Sequence, residues 1–202
     1  MTEINCKFER IFSNYRCLIE NQKIHKNLIT INGKHLTGKT NNQVNQIYLT
    51  ECDFEEFPEK LQKIFSNVES LRIWKCKLDK INRKHIKNWK KLTHIYVENC
   101  ELRKLEGDTF KDLKELKFIS FDGNKLEEIE PKTFDGLEKL EWLNLRRNLN
   151  IDMRFDIDDE RSNSLNEIKK EIKMKCIKKN SNFEEPGRKR KMFKKFCYCS
   201  RD

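Results

Sequence analysis

The chain has 202 residues, 38% of them charged and 36% hydrophobic, with a formal net charge of +10. That length suits one domain, or one domain with a tail, and the frequency of Leu, Ile, Val and Phe excludes a disordered composition. No apolar run approaches the roughly 20 residues needed to cross a bilayer, and the positive balance suggests acidic partners or anionic surfaces without naming one.

The opening segment, MTEINCKFERIFSN, lacks the apolar stretch of a signal peptide. Either the protein acts inside the cell or a leader has been cut away. Its eight cysteines are unevenly spread: Cys6 and Cys17 near the start, Cys52, Cys76 and Cys100 in the middle, and Cys176, Cys197 and Cys199 near the end. Even numbers with terminal clustering hint at oxidised caps on a longer fold.

LITI at 28–31 is a candidate strand, and GKHLTGKT at 33–40 follows it. The second stretch fits G-x-x-x-x-G-K-[ST], in which backbone amides cradle phosphates, Lys39 would reach them and Thr40 would hold magnesium. Such a loop must open a helix. A helix starting near Lys39 would run into VNQIYLTEC, which reads as a strand. ITINGKHLTGKTNNQV is therefore expected to be a β-hairpin closing the start of the array, with Gly33 and Gly38 in positive-φ turns. Nucleotide binding at 33–40 is the remote alternative. FISFDG at 118–123 resembles a metal-binding Walker B strand, but its register with its neighbours accounts for it.

From Val44 the sequence repeats every 24 residues: VNQIYLTECDF, VESLRIWKCKL, LTHIYVENCEL, LKFISFDGNKL and LEWLNLRRNLN. Each fits L-x-x-L-x-L-x-x-[NC]-x-L, although the fifth loses its last apolar position to Asn150. This is the signature of leucine-rich repeats. Alternation places Ile47 and Leu49, Leu71 and Ile73, Ile95 and Val97, Ile119 and Phe121, and Leu143 and Leu145 inward. No single repeat buries that face, but stacked repeats do, as a parallel sheet on the concave side of a solenoid. EGDTFKDL and EPKTFDGL match one another on the return path, where Phe110 and Phe134 are expected to plug short helical or irregular turns.

The [NC] column reads Cys52, Cys76, Cys100, Asn124, Asn148. Cysteine suits it as a small buried residue with a weak donor. A three-thiolate metal site or a redox pair is the functional alternative, and it lacks the short C-x-x-C pairs that zinc prefers. No metal and no cofactor is expected.

Outward strand positions form three columns: Gln46, Ser70, His94, Phe118, Trp142; then Tyr48, Arg72, Tyr96, Ser120, Asn144; then Thr50, Trp74, Glu98, Asp122, Arg146. Tyr, Trp and Arg are enriched at binding hot spots. The candidate ligand-binding residues are Tyr48, Arg72, Trp74, His94, Tyr96, Phe118, Trp142 and Arg146. Aromatics also stack across strands with no partner at all. No Ser or Cys nucleophile has an identifiable base, so no catalytic residue is expected.

The repeats resemble extracellular-type leucine-rich repeat proteins. CKFERIFSNYRCLIENQKI followed by INGKHLTGKTNNQV is similar to the N-cap of small secreted insect proteins of this class, common in flies, midges and mosquitoes. The likeness covers roughly residues 4–150 and rests on Cys6, Cys17, Ile31, Gly33 and His35. It implies a Cys6–Cys17 disulfide, secretion, and recognition without catalysis. The C-terminal part lacks the four-cysteine cap usual in extracellular members.

After Asn150, DMRFDIDDE reads as an acidic loop. SLNEIKKEIKMKCIKKN reads as a helix, with a Ser164–Glu167 capping box and Leu165, Ile168, Ile172 and Cys176 on one face. It is expected to cover the last repeat. Arg188, Lys189, Arg190, Lys191, Lys194 and Lys195 then form a basic run. That run is a solvated tail, a polyanion-binding segment for heparin-like polymers or anionic lipid, or a nuclear import signal. Cys197 and Cys199 are too close to pair with each other; either could pair with Cys176.

The expected architecture is an α/β leucine-rich repeat solenoid. A cap with a cysteine pair and a hairpin occupies 1–43, five repeats 44–150, a capping helix 151–180 and a basic tail 181–202. The expected function is non-catalytic recognition of a protein or glycan outside the cell, without specific nucleic-acid binding. The alternative is a cytoplasmic or nuclear scaffold whose tail meets acidic partners.

Overall fold

The computed structural model describes residues 2–25 and 28–181. The N-terminal part holds strands β1 (Thr2–Asn5), β2 (Lys7–Ile11), β3 (Asn14–Glu20), β4 (Lys23–Ile24) and β5 (Leu28–Asn32), then one 3-10 turn at Asn41–Gln43. The repeats begin with β6 (Gln46–Thr50), β7 (Asp53–Phe54), helix α1 (Leu61–Ile64), β8 (Ser70–Trp74), helix α2 (Arg83–Ile86) and β9 (His94–Glu98). They continue with β10 (Lys104–Leu105), β11 (Phe118–Ser120), β12 (Glu128–Ile129) and β13 (Trp142–Asn144), before β14 (Arg154–Asp156) and helix α3 (Leu165–Ser181).

The main sheet has eight strands in the order β14-β13-β11-β9-β8-β6-β3-β2. Ile47, Leu71, Ile95, Ile119 and Leu143 lie opposite one another across five parallel strands without a slip. This is the 24-residue period made physical: one residue more or less would turn every inward side chain outward. All ten inward residues named above are buried in one continuous core. On the return path Phe57, Phe65, Trp89, Phe110 and Phe134 fill the space behind the sheet. Trp89 Nε1 donates to the Phe65 carbonyl at 2.6 Å, and Phe110 and Phe134 stack at 6.0 Å.

The N-terminal cap departs from expectation in two ways. First, the hairpin is β2–β3, closed at residues 12–13, with Phe8 opposite Cys17; Cys6 and Cys17 are joined as a disulfide. The segment around Gly33–Thr40 is not a hairpin, because β5 pairs in parallel with β1 instead. Gly33, at φ 153°, brings the backbone so close to the Cys6 carbonyl that a Cβ would lie 2.1 Å from its oxygen. Second, β3 is a strand of the main sheet, parallel to β6, with Cys17 opposite Ile47 and Ile19 opposite Leu49. The cap thus adds a degenerate repeat, offset by 30 residues rather than 24.

At the other end, the segment read as an acidic loop contributes β14, antiparallel to β13 with Phe155 opposite Leu143. Both ends of the sheet therefore finish in an antiparallel strand. Helix α3 forms where its sequence predicts. Ser164 Oγ accepts from Glu167 N at 3.2 Å, and the Glu167 carboxylate accepts from Ser164 N at 2.8 Å. Ile168 and Ile172 are buried, and α3 packs beside β12 and β14.

Two features recur with the repeat. Where each strand leaves the sheet, one residue is left-handed: Glu51 (φ 55°), Lys75 (51°), Asn99 (52°), Gly123 (66°) and Arg147 (54°). The first four donate their amide to the next repeat, at Trp74, Glu98, Asp122 and Arg146 O, over 2.9–3.1 Å. The second feature is charge. Several equivalent positions of neighbouring repeats carry opposite signs and pair: Asp53–Lys77 (3.3 Å), Glu101–Lys125 (2.9 Å), Arg103–Glu127 (2.7 Å), Glu115–Lys139 (2.7 Å) and Lys117–Glu141 (2.7 Å).

Candidate ligand-binding face

Strand alternation turns the core residues inward and leaves the other face of the sheet to solvent. His94, Phe118 and Trp142 are in register on β9, β11 and β13. Tyr48, Arg72 and Tyr96 are in register on β6, β8 and β9, and Thr50, Trp74 and Glu98 lie beside them. Seven of the eight residues singled out from sequence therefore share one sheet face. Arg146 does not sit on a strand: β13 ends at Asn144, and Arg146 extends past it, its Nε 4.0 Å from Asp152.

The rings form a connected surface. His94 stacks on Phe118 at 4.7 Å and lies 6.1 Å from Tyr96. Tyr96 is 6.4 Å from Trp142. The Arg72 guanidinium sits 4.4 Å from the Tyr96 ring and the Lys75 ammonium 4.2 Å from Trp74, distances suited to cation–π attraction. Partial burial and the nearby Arg72 charge hold the His94 imidazole below its ordinary pKa, and burial raises that of Tyr96.

The cap extends this face, which the sequence reading missed. Arg16 on β3 lies 5.5 Å from the Tyr48 ring and bonds Glu9 at 2.6 Å; Leu18 is opposite Tyr48. The available signal was the alternation of Cys17 and Ile19, which matches Ile47 and Leu49 once the offset is allowed to be 30.

The other candidate sites dissolve into structure. Thr40, the supposed magnesium ligand, caps the 3-10 turn and donates its hydroxyl to Gln43 Oε1 at 2.8 Å. Lys39 lies 5.9 Å from the Tyr15 ring, and the single turn at Asn41–Gln43 replaces the long helix a P-loop needs. In the [NC] column, Cys52, Cys76 and Cys100 are free and buried. Their thiols donate to carbonyls of their own strands, Thr50, Trp74 and Glu98, at 3.3–3.4 Å. Asn124 does the same work more strongly: Nδ2 donates to Val97 O at 2.6 Å and Oδ1 accepts from Leu102 N at 3.2 Å. The hydrogen bond with Cys52 and burial push the Cys76 pKa up, and burial pushes Cys100 up to about 12. The same hydrogen bond lowers the Cys52 pKa, but all three thiols are buried at their strand ends, and among the described residues the three sulfurs do not converge as a metal site requires.

Among the described residues one group does converge to within 4.8 Å: Glu56, Glu59 and His85. It is built against a cation. Asn82 N–H donates to His85 Nδ1 at 3.2 Å, so a neutral ring carries its proton on Nε2 and offers no lone pair there. That nitrogen faces Glu56 Oε1 at 3.5 Å. Lys84 already bonds Glu56 and lies 3.3 Å from Glu59.

Residues 90–149 match the family model described as leucine rich repeat. The chain folds as a leucine-rich repeat solenoid. The match spans three of the five repeats; the first two, in which cysteine replaces the column asparagine, carry the same strand register. No curated protein matches the chain. Among the described residues no helix of this solenoid is long and apolar enough to cross a membrane. The basic run from Arg188 to Lys195, Cys197 and Cys199, and the Cys176 side chain lie outside the described residues.

Proposed function

We propose that this protein is a non-catalytic recognition module that binds a protein or glycan on the outward, concave face of its sheet. The observation that carries this reading is the continuous surface of Tyr48, Arg72, Trp74, His94, Tyr96, Phe118 and Trp142 over five consecutive strands. Aromatic and arginine side chains of this kind dominate binding energy where partners meet, and solenoids of this class use their concave sheets for extended contacts.

The proposed location is extracellular. The Cys6–Cys17 disulfide supports it, since such bonds persist in oxidising compartments, as does the likeness of the N-cap to secreted insect repeat proteins. A disulfide map of protein from its native source tests this. The bridge at Cys6–Cys17 with Cys52, Cys76 and Cys100 free is expected; full reduction would move the protein inside the cell.

The face is tested by screening the full chain on glycan arrays and by affinity capture, then measuring Trp74→Ala with Trp142→Ala against the convex-side control Lys111→Ala. The double variant should lose tenfold or more in affinity for the ligand found. Unchanged affinity with an intact fold removes the sheet face from consideration.

A further inference from the structure

Three cations of the outward sheet face lie on rings. The Arg16 guanidinium sits over Tyr48 at 5.5 Å, the Arg72 guanidinium over Tyr96 at 4.4 Å, and the Lys75 ammonium over Trp74 at 4.2 Å. A ring face is the negative part of its quadrupole, which draws them there. Arg16 is also neutralised by Glu9, and Arg147, farther along the array, by Asp122. Among the described residues Arg72 and Lys75 form no ion pair, and both are exposed. That sets them apart from Lys77, Lys117 and Lys125, each paired with a carboxylate one repeat away.

The rings decide what kind of group meets these charges. His94 and Phe118 stack at 4.7 Å with planes 15° apart, close to the spacing of paired strands, so each covers a face of the other. Tyr48, Trp74 and Tyr96 each hold a cation over one face. A sugar recognised by aromatic side chains packs its C–H face on a ring face, and here those faces are largely taken. The sheet instead offers ring edges, which carry partial positive charge, and two unpaired cations. Both seek acceptor oxygens. Glu98 lies in register with Trp74 and, among the described residues, forms an ion pair with neither cation. Both cations belong to β8 and the turn after it, and β8 is an interior strand of the eight, where binding hot spots concentrate.

We propose that the partner of the sheet face is a protein segment rich in Asp and Glu, whose carboxylates seat on Arg72 and Lys75. This rests on the reading of the sheet as the binding face, and it narrows the partner from protein or glycan to an acidic protein surface. The Tyr96 ring holds the Arg72 guanidinium in place before the partner arrives. Its planar fork then takes a carboxylate through two parallel N–H···O bonds, and a side chain already ordered loses less freedom on binding. Lys75 adds a point charge three residues on, and the rings around both exclude water from the contact.

The test pans a phage-displayed library of random peptides on the immobilised full chain and titrates the recovered peptides, as synthetic copies, by calorimetry. The recovered sequences should be rich in Asp and Glu, and salt should weaken their binding. Arg72→Gln with Lys75→Gln should lower affinity by on the order of tenfold or more, as the loss of charged hydrogen bonds requires, with an unchanged thermal melt. Lys170→Gln with Lys173→Gln removes the same charge from exposed positions of α3 and should change it far less. Replacing the acids of the peptide by Asn and Gln should weaken binding to the native chain and matter little to the Arg72/Lys75 variant. Recovery of no acidic peptide, or equal losses in the two Gln pairs, would overturn the proposal. A peptide or arrayed glycan that loses binding in Trp74→Ala with Trp142→Ala but keeps it in Arg72→Gln with Lys75→Gln overturns the acidic partner and leaves the sheet face standing. Indifference to both pairs removes the sheet face as well.

Discussion

Glu51 and Lys75, one repeat apart, hold the same left-handed backbone, at φ 55° and 51°. Neither is a residue that favours that region, and the left-handed conformation costs a side-chain-bearing residue roughly 1–2 kcal/mol. The stack imposes it, because it lets the following column residue turn inward. Glu51→Gly should therefore raise stability by about 0.5–1 kcal/mol in urea titration, despite glycine's entropic cost. At the equivalent position in repeat four, Gly123→Ala should do the reverse by about 1–3 kcal/mol, since its Cβ would lie 2.5 Å from Asn99 Oδ1. Equal effects of the two substitutions would sink this account.

The column residues differ in strength. Asn124→Ala leaves the Val97 carbonyl and the Leu102 amide without their partner in a buried place, and should cost about 2–3 kcal/mol. Cys76→Ala removes only weak sulfur contacts and a small volume, and should cost about 1 kcal/mol. Because all three thiols are buried, none should react with a thiol reagent before the protein unfolds. A fast native-state reaction at any of them contradicts the structural role.

Acidity should destabilise the fold in two windows. Burial, with the Lys84 charge, holds His85 below its ordinary pKa, and burial, with Arg72, does so for His94. A lowered histidine gives stability that is whole above the unfolded value of about 6.5 and is lost as pH falls below it. Asp112, lowered by its hydrogen bond to Arg83, adds a second loss below about pH 4. Melting temperatures from pH 7 to 5 should fall less steeply in His85→Gln, which keeps the acceptor for Asn82 N–H. Parallel slopes would remove His85 from the effect.

Lys39→Ala should change stability by no more than about 0.5 kcal/mol, as at other surface sites, and magnesium with ATP should not raise the melting temperature of either protein. A ligand-dependent increase lost in the variant would restore the P-loop reading of 33–40.

Much of the fold was legible because its period is strict. Ile47, Leu71, Ile95, Ile119 and Leu143 announce themselves at 24-residue intervals, and outward neighbours such as Tyr96 and Trp142 follow from alternation alone. The ends were harder. β3 belongs to the same sheet, but its offset of 30 hid Cys17 and Ile19 from a search at 24, and with them Arg16 and Leu18. β14 has no alternating pattern to read; Phe155 is a strand residue because β13 leaves an open edge beside it. Gly33 looked like a turn residue, whereas its use is the close pass over Cys6, a tertiary fact invisible in the segment itself.

The alternating charges give the array a parity. Along one column the signs run Asp53, Lys77, Glu101, Lys125, and each neighbour attracts the next. Deleting one repeat would set Asp53 against Glu101, and like charges would meet in other columns too. Deleting two would restore the alternation. Each pair is weak by itself, so the column favours its neighbours without fixing them. Within that column the salt bridges act less as struts than as a record of which repeats belong side by side.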